Sequence, residues 1–235
     1  MNRIYLKANK DNSYTINDCL DHKKLGKVFF ENKSIKIKNK YRGQWLENEA
    51  TTLLQNNSAK NLNDLYVHFL QKNYPFAINL ERYPFPAFLE SFRLKKCGFD
   101  LFSRPVFLHP AAKKAWNKMK GSAKKSGIEL RIVSAFRDFN YQKKLIENKI
   151  KKGIALNDIL QVNTLPGFSE HHTACAIDIA TPSSAVLEPE FDQSDAFVWL
   201  MNHAHRFNFY LSYPKNNNTG ILYEPWHWCY KAKPQ

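Results

Sequence analysis

Two short segments, far apart along the chain, carry the residue types of a single metal centre, and any fold must bring them together. The first is Ser169-Glu170-His171-His172-Thr173-Ala174-Cys175-Ala176-Ile177-Asp178, and the second is Glu224-Pro225-Trp226-His227. Two histidines and one carboxylate suffice for a zinc site with three protein ligands and a fourth position open for water. A glutamate three residues before the last histidine would supply a base beside that water. Either segment alone reads more simply as surface or satisfied core residues. Together they supply complementary parts of one open site, and the chain is expected to be a zinc hydrolase.

The spacing has local consequences. The alternation from Ala174 to Ala180 predicts a strand with Cys175, Ile177 and Ile179 on an apolar core face. The other face carries Ala174, Ala176, Asp178 and Ala180, one carboxylate among small neighbours that leave room for an ion and a substrate. A loop ahead of this strand can carry a histidine back beside Asp178. His171 and His172 compete for that place. On an extended segment adjacent side chains face opposite ways, so only one of them reaches the metal. In the second segment, one helical turn beginning after Glu224 would put Glu224 and His227 on one side, with Pro225 suited to its first position. His22, His68, His109, His203 and His205 are expected to be structural or surface residues.

In these residues the chain resembles the LAS metallopeptidases, and among them the VanY-type D-alanyl-D-alanine carboxypeptidases. The family pattern Ser-x-His-x-x-Gly-x-Ala-x-Asp corresponds to Ser169 through Asp178, and Glu-x-Trp-His to Glu224 through His227. Two further motifs agree. One is Ser134-Ala135-Phe136-Arg137 followed by Gln142; the other is Phe209-Tyr210-Leu211-Ser212-Tyr213-Pro214 ahead of Thr219-Gly220-Ile221. The resemblance covers approximately residues 100–231. It implies that His171, Asp178 and His227 bind one Zn²⁺ per chain. It also implies that Glu224 takes a proton from the attacking water and passes it to the leaving amine, while Arg137 polarises the scissile carbonyl. A fixed guanidinium aimed at developing negative charge is worth ~3–4 kcal/mol by analogy with an oxyanion-hole donor. Without the other motifs, Arg137 would read as a surface ion pair with Asp138 or Glu147. Gln142 and Ser169 are candidates for holding polar groups of the substrate; Ser169 is alternatively a local backbone partner or a group that orients a ligand. The sequence departs from the family pattern at Ala174, where the family has Gly. A required positive φ would strain alanine there, whereas a requirement for a small side chain would not.

Composition bounds the rest. A chain of 235 residues with 43% hydrophobic and 14% aromatic content can bury a sizeable core. No apolar run reaches the ~18–20 residues that span a bilayer. The segment Met1 to Lys10 has no apolar signal-peptide core, so the chain as written is expected to stay in the cytoplasm, with the cell envelope reached only through a removed leader or another route. Cys19, Cys97, Cys175 and Cys229 show no ligand spacing, and Cys175 and Cys229 read as buried thiols in strands. A nucleophilic Cys175 beside His171 or His172 conflicts with its place on the core face. The formal net charge of +14 favours polyanionic partners, among them an acidic wall polymer. Much of that charge lies in Lys23 to Lys40, which reads as a strand with a lysine face, and in Lys113 to Lys125, which reads as a solvated helix face. No zinc-finger or RNA-binding signature accompanies it, so specific nucleic-acid binding is not expected.

The remaining pattern gives the organisation. Residues 1–45 read as short strands and turns, 50–74 as helical pieces, and 75–86 as a Pro- and aromatic-rich connector. Helices are expected over Ala111–Lys125, with Ala112, Trp116, Met119 and Ala123 inward, over Phe139–Lys152, and over 196–206, with Phe197, Leu200, Met201 and Ala204 inward. Strands are expected over Ile128–Ala135, Phe207–Tyr213 and Trp228–Tyr230. The expected fold is α+β: a small antiparallel sheet with flanking helices carrying a zinc site over 86–235, and an N-terminal extension of unassigned role over 1–85. The functional expectation is a zinc carboxypeptidase that removes the terminal D-Ala of peptidoglycan stem peptides or muropeptides. The alternatives are an L,D-carboxypeptidase that trims tetrapeptides, a peptidoglycan endopeptidase, and a non-catalytic wall-binding protein on the same fold.

Overall fold

Short alternating segments joined by tight turns favour antiparallel pairing, and every strand pair among the described residues is antiparallel. The computed structural model describes residues 4–8, 14–18, 20–21, 23–31, 34–39, 85, 88, 90–91, 93–182 and 184–232. It divides into two units, residues 1–83 and 84–235.

In the first unit, strands β1 (Ile4–Ala8), β2 (Tyr14–Asp18), β3 (Lys24–Glu31) and β4 (Ser34–Asn39) form a sheet in chain order. Ile16, Leu25 and Val28 are buried in it. The lysine-rich segment Lys23 to Lys40, expected as one strand, forms two, the antiparallel pair β3 and β4, with β4 at the edge of that sheet. The helical pieces expected over 50–74 lie outside the described residues, as does the connector over 75–86 apart from Phe85.

The second unit begins with the hairpin β5 (Lys95–Phe99) and β6 (Pro105–Leu108). Helix α1 follows (Pro110–Lys125), burying Ala112, Trp116, Met119 and Ala123, the stripe that helical periodicity selects. Its start is fixed by Pro110 and by His109, whose Nδ1 accepts the Ala111 N–H at 3.2 Å. Strand β7 (Arg131–Ser134) leads to α2 (Phe139–Lys151), which Asp138 caps by accepting the Tyr141 N–H at 2.6 Å. A short helix α3 (Leu156–Leu160), absent from the sequence reading, precedes β8 (Ala176–Ala180). Helix α4 (Asp195–His203), β9 (Phe209–Leu211) and β10 (His227–Tyr230) complete the unit. The sheet order is β7-β8-β10-β9, with helices accompanying it, an α+β arrangement.

Helix α4 keeps Leu200 and the following Ala204 inward as expected, but departs from expectation at Met201. Ala196, Trp199 and Leu200 are buried, while Met201 is 52% exposed. The reason is Trp199. Its Nε1 donates to Ser126 Oγ at 3.2 Å and its ring stacks on His203, so the indole sets which stripe turns inward. Leu200→Ala is therefore expected to cost ~2–5 kcal/mol, and Met201→Ala to stay within ~0.5 kcal/mol. Urea melts of the two variants check this; equal losses would contradict the assigned face.

Candidate active site

The site is organised by β8, all five residues of which are buried, so both faces are covered rather than one. Antiparallel register places His227 of β10 opposite Asp178 on one side and Ser134 of β7 opposite Asp178 on the other. Arg137 follows Ser134 by three residues.

Ahead of β8 the chain does not run extended. Glu170–Thr173 form a 3₁₀ turn, opened by Ser169, whose Oγ accepts the His171 N–H at 3.3 Å. Ala174 ends the turn in the left-handed conformation, φ +56°. A residue with a Cβ pays about 1–2 kcal/mol for that conformation. Of the two alternatives for this position, the structure has the strained one, and the alanine accepts it while fully buried. The reversal brings His171 Nε2 to 3.3 Å from Asp178 Oδ2.

His171 Nδ1 donates to the carbonyl of Ala135 at 2.6 Å. Its Nε2 therefore presents a lone pair, is buried, and has no hydrogen-bond partner. His227 Nδ1 lies 3.1 Å from Asp178 Oδ1, and its Nε2 lies 3.0 Å from Glu170 Oε2. Ligand atoms of His171, Asp178 and His227 all fall within 4.8 Å of one another, and all three residues are buried. This donor set of two imidazoles and one carboxylate fits a zinc ion with an open position.

His172 is differently engaged. Its Nδ1 donates to the Arg137 carbonyl at 2.6 Å, its Nε2 accepts the Gly167 N–H at 3.0 Å, and its ring meets Phe139 edge-on. Both nitrogens serve the backbone. The Arg137 N–H in turn donates to the His171 carbonyl at 3.3 Å, which ties the arginine segment to the histidine turn.

Glu224 and His227 are joined by a single hydrogen-bonded turn: the His227 N–H donates to the Glu224 carbonyl at 3.1 Å, with Pro225 at the second position. Glu224 Oε2 lies 3.7 Å from His227 Nδ1. Burial lifts the Glu224 carboxyl to about 7, against the pull of His227 and the charges of Arg137 and Lys149. Burial pushes His171 down to about 4, and the charge of Arg137 adds to this. For Asp178, burial alone would raise the carboxyl, but His171 and His227 hold it well below the usual range. For His227, burial is outweighed by hydrogen bonds to Asp178 and Glu170, which lift it to about 10.

Arg137 is half-buried, and its Nε is buried without a partner. Its charge acts on His171, Tyr213 and Glu224. Asp138 is engaged as a helix cap and Glu147 pairs with Lys143 at 3.6 Å. Gln142 is buried on α2; its Nε2 donates to the Thr164 carbonyl at 2.7 Å and its Oε1 has no partner. Cys97, Cys175 and Cys229 are thiols, and burial together with the charge of Glu170 pushes Cys229 up, away from thiolate.

Three neighbours escaped the sequence reading. Glu170 meets His227. The Tyr213 ring lies 4.9 Å from the His227 ring, and burial with the charges of Glu170 and Glu224 pushes its phenol well up. Lys149 Nζ donates to Asn163 Oδ1 at 2.5 Å, with its charge acting on Glu224. Glu170 and Tyr213 had a signal in the sequence, each standing inside one of the quoted motifs; Lys149 had none.

An α+β domain with a buried His/Asp/His cluster, a neighbouring carboxyl and an arginine offers the residue set that metal-dependent hydrolysis requires. Residues 105–233, more than half of the chain, match the family model VanY, D-alanyl-D-alanine carboxypeptidase. The bifunctional D-Ala-D-Ala dipeptidase and D-Ala-D-Ala carboxypeptidase VanXYC of Enterococcus gallinarum is 33% identical over 137 residues, 55% of this chain and 70% of that protein. YodJ of Bacillus subtilis is 34% identical over 131 residues, 54% of this chain and 47% of its own length, so the match spans about half of that relative. Among solved structures, the LD-carboxypeptidase LdcB superposes with a TM-score of 0.56 at 30% identity, covering 62% of this chain and 71% of that one. The chain belongs to the VanY family of D-alanyl-D-alanine carboxypeptidases.

The two adjacent histidines separate experimentally. His171→Ala is expected to abolish zinc retention through dialysis. His172→Ala, which strands a backbone donor and an acceptor, is expected to lower stability by roughly 1–3 kcal/mol while zinc is retained. Zinc content by atomic emission and thermal melts check this; the reverse assignment of losses would make His172 the ligand.

Proposed function

We propose that this chain is a zinc-dependent carboxypeptidase that removes the terminal D-Ala from peptidoglycan stem peptides. The observation that carries the reading is the buried His171, Asp178 and His227 cluster with the raised carboxyl of Glu224 beside it. In this reading those three residues hold the metal. Zinc, when bound, supplies Lewis acidity toward a carbonyl oxygen and a water molecule. The remaining work belongs to the side chains. Glu224, lifted toward neutrality, has the affinity to accept a proton from the attacking water and to return it to the leaving amine. Arg137 holds a fixed positive charge for the oxyanion that develops on the scissile carbonyl. Its unpartnered Nε and its influence on Glu224 and His171 support that role. Gln142 offers an unpartnered carbonyl oxygen to a substrate N–H, while the Ser169 hydroxyl, already bonded to the His171 backbone, fits positioning of the ligand turn better than substrate contact.

A second reading, L,D-trimming of tetrapeptides, is favoured by the likeness to LdcB. It shares the metal chemistry and differs in how the pocket accepts the residue before the cleaved bond.

The deciding experiment measures D-Ala release by zinc-loaded protein from paired pentapeptide and tetrapeptide substrates, with a chelated control. Chelator-sensitive release from the pentapeptide is expected. Release from the tetrapeptide alone would move the reading to L,D-trimming, and release from neither, with zinc bound, would overturn both. In the same assay Glu224→Gln is expected to keep zinc and lose roughly 10²–10⁴-fold in turnover; unchanged turnover would remove Glu224 from the base role.

A further inference from the structure

We propose that Glu170 is the positioning residue for His227: its carboxylate fixes which imidazole nitrogen faces the metal, and Ser212 holds that carboxylate in place. The inference rests on the proposed reading of His227 as a ligand.

Three separate elements meet here. Glu170 lies in the 3₁₀ turn before β8, His227 opens β10, and Ser212 follows β9. Glu170 Oε2 lies 3.0 Å from His227 Nε2, and the same oxygen accepts the Ser212 hydroxyl at 2.5 Å. The Glu170 side chain is 15% exposed. The Glu170 carbonyl accepts the Thr173 hydroxyl at 2.6 Å, which fixes the turn. The Ser212 N–H donates to the His227 carbonyl at 3.3 Å, so Ser212 is tied to both members of the pair.

An imidazole can give a metal only the nitrogen that carries no proton. His227 faces Asp178 with Nδ1 at 3.1 Å, so the productive tautomer has its proton on Nε2. A carboxylate on Nε2 accepts that proton's hydrogen bond, selects the tautomer, fixes the ring plane, and strengthens the opposite nitrogen as a donor. His171 solves the same problem with a neutral acceptor, the Ala135 carbonyl on Nδ1. The two imidazoles are therefore backed unequally, one by a backbone carbonyl and one by a charge. Ordinary packing does not call for that charge. A largely buried carboxylate is costly unless a specific partner stabilises it, and an amide would satisfy the serine equally well. The placement makes sense if the negative charge is meant for His227 and, through it, for a cation.

The test is zinc affinity by competition with a chromophoric chelator, for the full chain and for Glu170→Ala, Glu170→Gln and Ser212→Ala. Nitrogen-15 histidine spectra read the tautomer, and circular dichroism of the metal-free proteins reports folding. Glu170→Ala is expected to weaken zinc binding by roughly 10–100-fold and to mix the His227 tautomers. Glu170→Gln keeps an acceptor for Nε2–H without the charge, so it should keep the tautomer and lose less affinity; Ser212→Ala should also weaken binding. If Glu170→Ala does not fold, the Gln and Ser212 variants decide. Wild-type affinity in both of them, with the proton still on Nε2, would overturn the proposal. A wild-type chain that binds no zinc would instead refute the metal reading itself, which keeps the two failures distinct.

Discussion

The site depends on one register: Asp178 of β8 opposite His227 of β10. Side chains alternate along a strand, so a slip of one residue would turn either group to the opposite face and dissolve the cluster. Several bonds guard against that slip. The Ile179 N–H donates to the Trp226 carbonyl at 3.0 Å, and the Tyr230 N–H to the Cys175 carbonyl at 3.0 Å. Trp228, buried and paired with Ile177, anchors its indole N–H on the Pro225 carbonyl at 2.9 Å. The core of the second unit therefore sets the spacing of the candidate ligands. The remaining member of the cluster, His171, needs only the short turn before β8 to arrive.

The same core makes the site electrostatically expensive. Asp178, Glu170 and Glu224 lie in or at the edge of the buried region, offset by His227, Arg137 and the half-buried Lys149. Carboxylates this close in a dry setting shift one another and their histidines, and the shifts run in opposite directions at neighbouring residues: His171 down, His227 up, Asp178 down, Glu224 up. Such divergence is what acid–base chemistry requires, a group held charged beside a group held near neutrality.

Periodic features were readable from the sequence, and features set by distant partners were not. The inward stripe of α1, with Ala112, Trp116, Met119 and Ala123, follows from helical spacing because nothing competes with it. In α4 the same reasoning placed Met201 inward, and the hydrogen bond from Trp199 to Ser126, 73 residues away, reversed it. The residue types and order of the motifs marked His171, Asp178, Glu224 and His227, which the fold gathers. Local geometry was read less well before β8, where a 3₁₀ turn stands in place of the extended segment expected. The left-handed Ala174 shows why glycine is the family's residue there, and that burial can hold an alanine in its place. The link from Glu170 to His227 was hidden because its meaning lies in a partner 57 positions later, reached only through the sheet.

The most direct measurement of the central claim is X-ray absorption at the zinc edge on the zinc-loaded protein. The account predicts a first shell of nitrogen and oxygen only, at ~2.0–2.2 Å, with the outer-shell scattering of two imidazoles. Replacing His227 by alanine should remove one of those imidazoles. Sulfur scattering near ~2.3 Å would place the metal on a cysteine, and a shell without imidazole would place it elsewhere; either would contradict the His171, Asp178 and His227 site.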